Sequence, residues 1–172
     1  MIDPAQVKLA VRRGAIKPDG AYFATPGNST YFDPFSDGVK SYDIVAIKIL
    51  NWETDPLIGV QLLRATATLC TAEPTVSEDG LKRLERALED VESGEGPYID
   101  YMLADQTPMA MAAQALGYGG LMVHENDDWS SPSSVFIWDV SAVRELTQDE
   151  RDEVMREQYP DLAEDYLPGP RM

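Results

Sequence analysis

The chain has one cysteine, Cys70, and one histidine, His124, among its 172 residues. A single cysteine cannot form a disulfide within one copy, and the usual zinc sites need several His and Cys ligands. The sequence also lacks a G-x-S-x-G nucleophile motif and a Walker-type phosphate loop. We therefore expect no metal site, and we interpret Cys70, which lies in an apolar run, as a core residue rather than a nucleophile.

Long hydrophobic runs are missing as well. No apolar stretch approaches the roughly 18 residues that a membrane-spanning helix needs. The N-terminus does not show the basic segment followed by an apolar segment that marks a secretory signal. Together with the single cysteine, this predicts no membrane association and a location in the cytoplasm of a bacterial or phage-infected cell.

Basic residues are scarce, with 14 Lys and Arg against 30 Asp and Glu, which gives a formal net charge of −16. A surface of this charge repels the phosphates of DNA and RNA, so we expect no direct binding of nucleic acid. The acidity serves solubility in many proteins. It would also attract a protein partner with a basic surface, such as a nucleic-acid-binding complex, or imitate nucleic acid towards such a partner.

The length and the 44% of hydrophobic residues are typical of one domain with its own core. We assign residues 1–160 to a single domain and residues 161–172 to a flexible tail, because the chain ends with a Pro-Gly-Pro segment. Short strand signals and longer helix signals together predict the α+β class. The expected architecture is a compact mixed or antiparallel sheet of short strands with flanking helices.

Hydrophobic periodicity locates the individual elements. Strands are predicted at residues 21–25, 43–50, 119–125 and 133–140. Helices are predicted at residues 57–70, 78–93, 108–116 and about 148–158. The segment 43–50, DIVAIKIL, is apolar on both faces and is expected to be a central strand. Residues 7–16 suit a helix or a strand, and residues 26–43 are predicted to be a long surface loop.

Three of the helices carry sequence signals for their first residue. Ser77 is predicted to cap the helix at 78–93, and Thr107, followed by proline, is predicted to cap the helix at 108–116. Thr147 and Glu150 have the spacing of a capping box for the last helix.

Three short motifs follow one another along the chain. Residues 20–25 read Gly-Ala-Tyr-Phe-Ala-Thr. Residues 115–120 read Ala-Leu-Gly-Tyr-Gly-Gly and are followed by a strand that ends at Glu125. Residues 135–139 read Val-Phe-Ile-Trp-Asp within the next predicted strand, and Val143 follows them. Their content and order resemble the small bacterial and phage ADP-ribosyltransferases. The chain is also similar to the members of that family with which phages inhibit type I-F CRISPR systems. The likeness covers about two thirds of the chain as scattered elements.

This resemblance implies an ADP-ribosyltransferase-like fold and an enzyme that uses NAD as its substrate. Glu125 would be the catalytic carboxylate, because cleavage of the nicotinamide–ribose bond leaves positive charge on the sugar. Tyr22, Phe23 and Tyr31 would hold the flat rings of NAD. Thr25 and Ser29 would hydrogen-bond the ribose. The implied activity is mono-ADP-ribosylation of a protein target, with anti-CRISPR or other phage–host conflict as its setting.

The chain departs from the family pattern at two places. Family members carry a histidine or an arginine on their first strand. The N-terminal half of this chain has no histidine, and Arg12 or Arg13 could serve, although the surrounding VRRGAI is a poor match. The residue two positions before Glu125 is Val123, so the Gln/Glu-x-Glu pair associated with arginine modification is missing. His124 would face away from Glu125 on a strand, which favours a structural role.

Other interpretations stay open at this point. An NAD glycohydrolase would use the same site as a transferase. A non-enzymatic acidic inhibitor or nucleic-acid mimic would need only the negative surface. A catalytically inactive relative would need neither the NAD site nor the negative surface. Which acceptor residue and which target protein would be used does not follow from the motifs.

Overall fold

A computed structural model describes residues 7–26, 31–45, 48–52, 54–72, 77–96, 99–123 and 134–169. Within these residues the strands are β1 (Val7–Arg13), β2 (Ala21–Ala24), β3 (Val39–Ile44), β4 (Ile49–Leu50), β5 (Gly120–Val123), β6 (Ser134–Ile137) and β7 (Val143–Glu145). The helices are α1 (Pro56–Ala72), α2 (Glu78–Glu92), α3 (Tyr101–Ala104), α4 (Thr107–Ala115), α5 (Gln148–Gln158) and α6 (Pro160–Tyr166). None of the described helices combines the length and apolar character that crossing a membrane requires.

The seven strands form one sheet in the order β4-β5-β6-β2-β1-β3-β7. Every neighbouring pair is antiparallel except β4 and β5, which are parallel. The predicted α+β class, with a mixed sheet of short strands and flanking helices, is confirmed.

One face of the sheet encloses a hydrophobic cluster of its own. The buried side chains of this interior cluster include Ala10, Phe23, Ile44 and Val135, and all seven strands contribute buried or partly buried members. A cluster shared by both edge strands and the central strands requires the sheet to curl around it. Burial of these apolar side chains, at about 25 cal/mol per Å², favours the curled form.

The opposite, convex face of the sheet is covered by two separate groups of helices. Helices α1–α4 pack over β4, β5 and β6, and Leu62, Leu103 and Met109 are among their buried contacts. Helices α5 and α6 pack over β1 through Met155 and Ala163. At one end of the β2–β6 pair, this face carries two small residues, Ala24 and Ser134, and the candidate site described below lies there.

Local capping signals explain where two of the helices begin. The Ser77 hydroxyl accepts a hydrogen bond from the Gly80 amide, and Asp79 lies in the first turn of α2, where a negative charge is favourable. Thr147 and Glu150 form the predicted capping box at α5. The cap predicted at Thr107 is wrong: Gln106 occupies the N-cap position without a side-chain hydrogen bond, and Thr107 is the first residue of α4.

The strand predictions need two corrections. The central strand predicted at 43–50 is wrong, because β3 ends at Ile44 and β4 begins at Ile49, on the opposite edge of the sheet. The chain therefore crosses from one side of the curled sheet to the other within this apolar segment. The loop predicted at 26–43 is too long, since β3 already starts at Val39. Residues 7–16, which suited either element, contain strand β1.

The flexible tail predicted from residue 161 also needs correction as far as Tyr166. Those residues belong to α6, which begins at Pro160 and buries Ala163 against β1 and α5. Proline suits the first turn of a helix, so the same residue type that indicated a loose end here starts an element. Strand β7 and the one-turn helix α3 are further elements that no periodic pattern indicates.

We expect the capping box to make stability depend on pH in the acid range. The backbone amide of Thr147, followed by the side chain of Arg144, lowers the pKa of Glu150 from its ordinary value of 4.5. A lowered folded-state pKa stabilises the protein above the unfolded-state pKa, and this contribution is lost as pH falls through the folded-state value. Glu150→Gln should therefore reduce the free energy of unfolding at neutral pH, and the difference from wild type should shrink as pH falls below about 4.5 and vanish below the folded-state pKa. Urea unfolding at a series of pH values measures this, and a difference that is constant with pH would contradict it.

Candidate functional site

A cleft of about 420 Å³ opens on the convex face of the sheet. Its lining includes β1, β2 and the first residues of β3 and β6. The residues on the sheet surface are small: Ala24 pairs with Val11 on one side and with Ser134 on the other. Directly paired residues share a face of the sheet, so these three lie side by side. Short side chains at this point leave room that larger ones would fill.

Three tyrosines stand around the cleft. The Tyr22 ring packs against Phe136 at 4.4 Å between centroids and meets Tyr101 edge-on at 6.3 Å. The Tyr22 hydroxyl donates a hydrogen bond to the Tyr101 carbonyl, which ties β2 to α3. Tyr31 and Tyr101 are 53% and 39% exposed, so their rings are accessible to a ligand. Tyr22 and Tyr31 are predicted site residues, whereas Tyr101 is one that the sequence does not indicate.

The position of Tyr101 depends on a buried carboxylate beside it. Asp100 is 8% exposed, caps α3 by accepting a hydrogen bond from the Leu103 amide, and forms an ion pair with Arg83 of α2. A buried carboxylate is costly unless it is paired and hydrogen-bonded, and Asp100 is both. The wall that carries Tyr101 is therefore held by α2 and by β2.

Two arginines at the end of β1 also line the cleft. The Arg12 guanidinium donates to the carbonyls of Ala15 and Tyr22, and thereby joins the turn after β1 to β2. Arg13 donates from Nη2 to the Ser36 hydroxyl at 2.8 Å. In a chain with a net charge of −16, the positive charge of Arg13 at the cleft favours an anionic ligand.

The predicted site residues differ in where the structure places them: three line the cleft, one directly follows β2, and two lie outside the described residues. Tyr22, Phe23 and Tyr31 line the cleft, and Thr25, 8% exposed, directly follows β2. The Phe23 ring is only 1% exposed and lies edge-on to Tyr42 in the interior cluster. Ser29 and the predicted catalytic residue, Glu125, lie outside the described residues.

In the sequence, Glu125 lies in the segment between the last residue of β5 and the first residue of β6. Val123, the last residue of β5, pairs with Ser134, the first residue of β6 and a residue of the cleft lining.

Comparisons of the chain with protein-family models, with curated proteins and with solved structures return no match.

Proposed function

We propose that the protein is a mono-ADP-ribosyltransferase that cleaves NAD in this cleft and transfers ADP-ribose to a protein target. The observation that carries the proposal is that Arg13 and two exposed tyrosines, Tyr31 and Tyr101, line one cleft of a strongly acidic chain. The order of motifs along the sequence supports the same activity. The lining also includes Tyr22 and Phe23 of the first motif and Tyr31 after it, which are the three aromatic residues that the sequence suggests for the rings of NAD.

The chemistry of NAD matches this lining group by group. Its two phosphates are anionic and suit guanidinium groups, which bind phosphate oxygens through paired, charge-assisted hydrogen bonds. Its nicotinamide and adenine rings are flat and stack on aromatic side chains. We assign the phosphates to Arg13 and a flat ring to Tyr31 or Tyr101. The volume of about 420 Å³ lies within the range of 300–1,000 Å³ that is usual for small-molecule sites.

The remaining predicted residues take supporting roles in this proposal. Tyr22, whose ring packs on Phe136, and Phe23, whose ring is buried, shape the cleft from below, since neither ring can turn to a ligand without repacking. Thr25 and Ser29 are assigned to the ribose hydroxyls. Arg12 holds the end of β1 to β2, so its part is to keep Arg13 in place.

Glu125 is proposed to stabilise the positive charge that develops on the ribose when nicotinamide leaves. Its neighbours in the sequence support this role, because Val123, two residues before Glu125, pairs with Ser134, and Ser134 lines the cleft. A preorganised charge of this kind is commonly the largest single contribution to catalysis.

A titration with NAD tests the assignment of the cleft. Wild type should bind NAD with an affinity in the range usual for enzyme substrates, between micromolar and millimolar. Tyr31→Ala should weaken binding about 10-fold, because stacking of one base on an aromatic ring contributes about 1–3 kcal/mol. Tyr31→Phe keeps the ring and should bind as wild type does. Isothermal titration calorimetry measures all three, and absence of binding by wild type at millimolar NAD would refute the proposal.

The acidic surface is the observation that favours the second candidate, an inhibitor or nucleic-acid mimic without turnover. Residues 145–165 contain nine acidic and two basic residues, and most of the carboxylates on α5 and α6 are exposed. Such a protein would bind a basic partner surface with or without NAD. Its binding would weaken steeply with salt, whereas an NAD-dependent modification of the partner would persist after the two proteins separate.

A further inference from the structure

The rim of the cleft between Tyr31 and β3 is a short turn in which Pro34 is buried and Phe35 is 39% exposed. We define it as residues 33–37. The Asp33 carboxylate accepts a hydrogen bond from the Phe35 amide, and the Ser36 amide donates to the Asp33 carbonyl. The rim connects two parts of the cleft lining, Tyr31 before it and Val39 after it. Any displacement of the rim therefore moves part of the cleft wall.

The contacts that place this rim come from the C-terminal helices. The Phe35 ring stacks on Tyr166 of α6, with 5.5 Å between centroids and 17° between planes. The Arg151 guanidinium of α5 lies 4.0 Å from the centroid of the same ring, and its Nη1 donates to the Pro34 carbonyl. One arginine thus contacts both the backbone and the aromatic side chain of the rim.

Arg151 is itself held firmly. Its side chain is 14% exposed and forms an ion pair of 2.8 Å with Asp152. The helix that carries it is anchored by the capping box and by Met155, which is fully buried against β1. A planar guanidinium that is fixed in this way loses little further freedom when it stacks on a ring.

At its other end the rim contacts Arg13, a positively charged residue of the cleft lining. Ser36 accepts the hydrogen bond from Arg13 Nη2 at 2.8 Å, so the position of the rim also affects where this guanidinium points. A continuous set of contacts runs from Arg151 through Pro34 and Phe35 to Ser36 and Arg13.

We propose that Arg151 is a positioning residue for the cleft: it fixes the rim, and through the rim it sets how Tyr31 and Arg13 meet the ligand. The effect on the ligand rests on the proposed function, because NAD is the ligand assigned to the cleft. The effect on the rim does not depend on that assignment. The C-terminal helices are thereby part of the functional site, although neither α5 nor α6 contributes a residue to the cleft lining.

The test compares Arg151→Lys with Arg156→Lys in the full-length chain. Lysine keeps the positive charge but lacks the planar group that stacks on Phe35 and bonds the Pro34 carbonyl. Amide hydrogen exchange of residues 31–38 should become about 10-fold faster in Arg151→Lys, and binding of NAD should weaken about 10-fold. Exchange in α1–α4 should stay unchanged. Arg156 lies on the same helix and is exposed, so its substitution should alter neither quantity.

The outcomes separate the two proposals. Unchanged exchange of residues 31–38 in Arg151→Lys would overturn the positioning role, whatever NAD does. Faster exchange with unchanged affinity for NAD would show that the rim does not control the ligand. If wild type does not bind NAD, the proposed function fails, while exchange still decides whether Arg151 fixes the rim. Phe35→Leu, which removes the ring from the other side of the contact, should reproduce the faster exchange.

Discussion

Glu125→Gln is expected to slow the release of nicotinamide from NAD by about 100- to 1,000-fold, the usual cost of removing one preorganised group that stabilises transition-state charge. Glutamine has nearly the same shape as glutamate but no negative charge, so it cannot offset the positive charge of the oxocarbenium-like sugar. Chromatographic detection of nicotinamide, with and without candidate acceptor proteins, measures the rate. The mass of the acceptor proteins reports the transfer of ADP-ribose.

The controls for this experiment distinguish catalysis from binding and from folding. NAD affinity should change little in Glu125→Gln, because the charge is needed mainly in the transition state. Thermal stability should change little as well, because glutamine keeps the size and nearly the shape of glutamate. Glu157→Gln neutralises an exposed carboxylate on α5 and should release nicotinamide at the wild-type rate. Full activity of Glu125→Gln would exclude Glu125 as the catalytic group.

Gly20→Ala is expected to destabilise the fold by about 2–6 kcal/mol. Gly20 has φ = +133°, a conformation that costs other residues about 1–3 kcal/mol. A Cβ there would lie 2.8 Å from Phe136 Cζ and 2.9 Å from the Ile137 carbonyl oxygen. That carbonyl belongs to β6, which pairs with β2 along four residues, so it cannot move aside without breaking the ladder. Overpacking of this kind costs about 1–3 kcal/mol more.

Gly14→Ala provides the matched control. Gly14 also has a positive φ, +88°, but no heavy atom lies within 4 Å of where its Cβ would be. Only the backbone strain applies there, about 1–2 kcal/mol. Urea unfolding of both variants separates strain from contact. Equal losses would show that the approach of β6 is not the reason why glycine precedes the Tyr-Phe strand motif.

Elements with local determinants could be predicted from the sequence. The hydrophobic stripe of α2 and the cap at Ser77 lie within a few residues of one another, as do the two partners of the capping box at α5. Such interactions do not depend on the tertiary fold, because a capping side chain and the amide that it binds are about three residues apart in the sequence. Strand β2 was placed for a similar reason, since its alternating residues lie between clear turn signals.

The errors concern contacts between distant parts of the chain. The apolar segment at 43–50 has the composition of a buried strand, but its first residues end β3, next to the edge strand β7, and its last residues form β4, the other edge strand. Nothing in its periodicity reports that the sheet curls and that both edges share the interior cluster. Helix α6 was missed because its stability comes from burying Ala163 against other elements rather than from its own seven residues.

The candidate site was predicted in part. The motif with Tyr22 and Phe23, together with Tyr31 after it, indicated three residues that line one cleft in the structure. Arg13 was one of the two arginines considered for the basic residue that family members carry on their first strand. Tyr101 was not named, because it lies 79 residues from Tyr22 and reaches the cleft only through the Asp100 cap and the hydrogen bond of its carbonyl to Tyr22. Contacts at such separation leave no trace in a spacing pattern.

The amino-acid sequence alone determined the acidic charge, the α+β class, the first residues of α2 and α5, and a short group of aromatic candidates for a ligand site. These properties are either sums over residues or products of neighbours three or four positions apart. Only the tertiary structure decided that the sheet curls, that Tyr101 and Tyr31 line the same cleft, and that Arg151 reaches Phe35. Each of these depends on packing between segments whose separation along the chain carries no information about their distance in space.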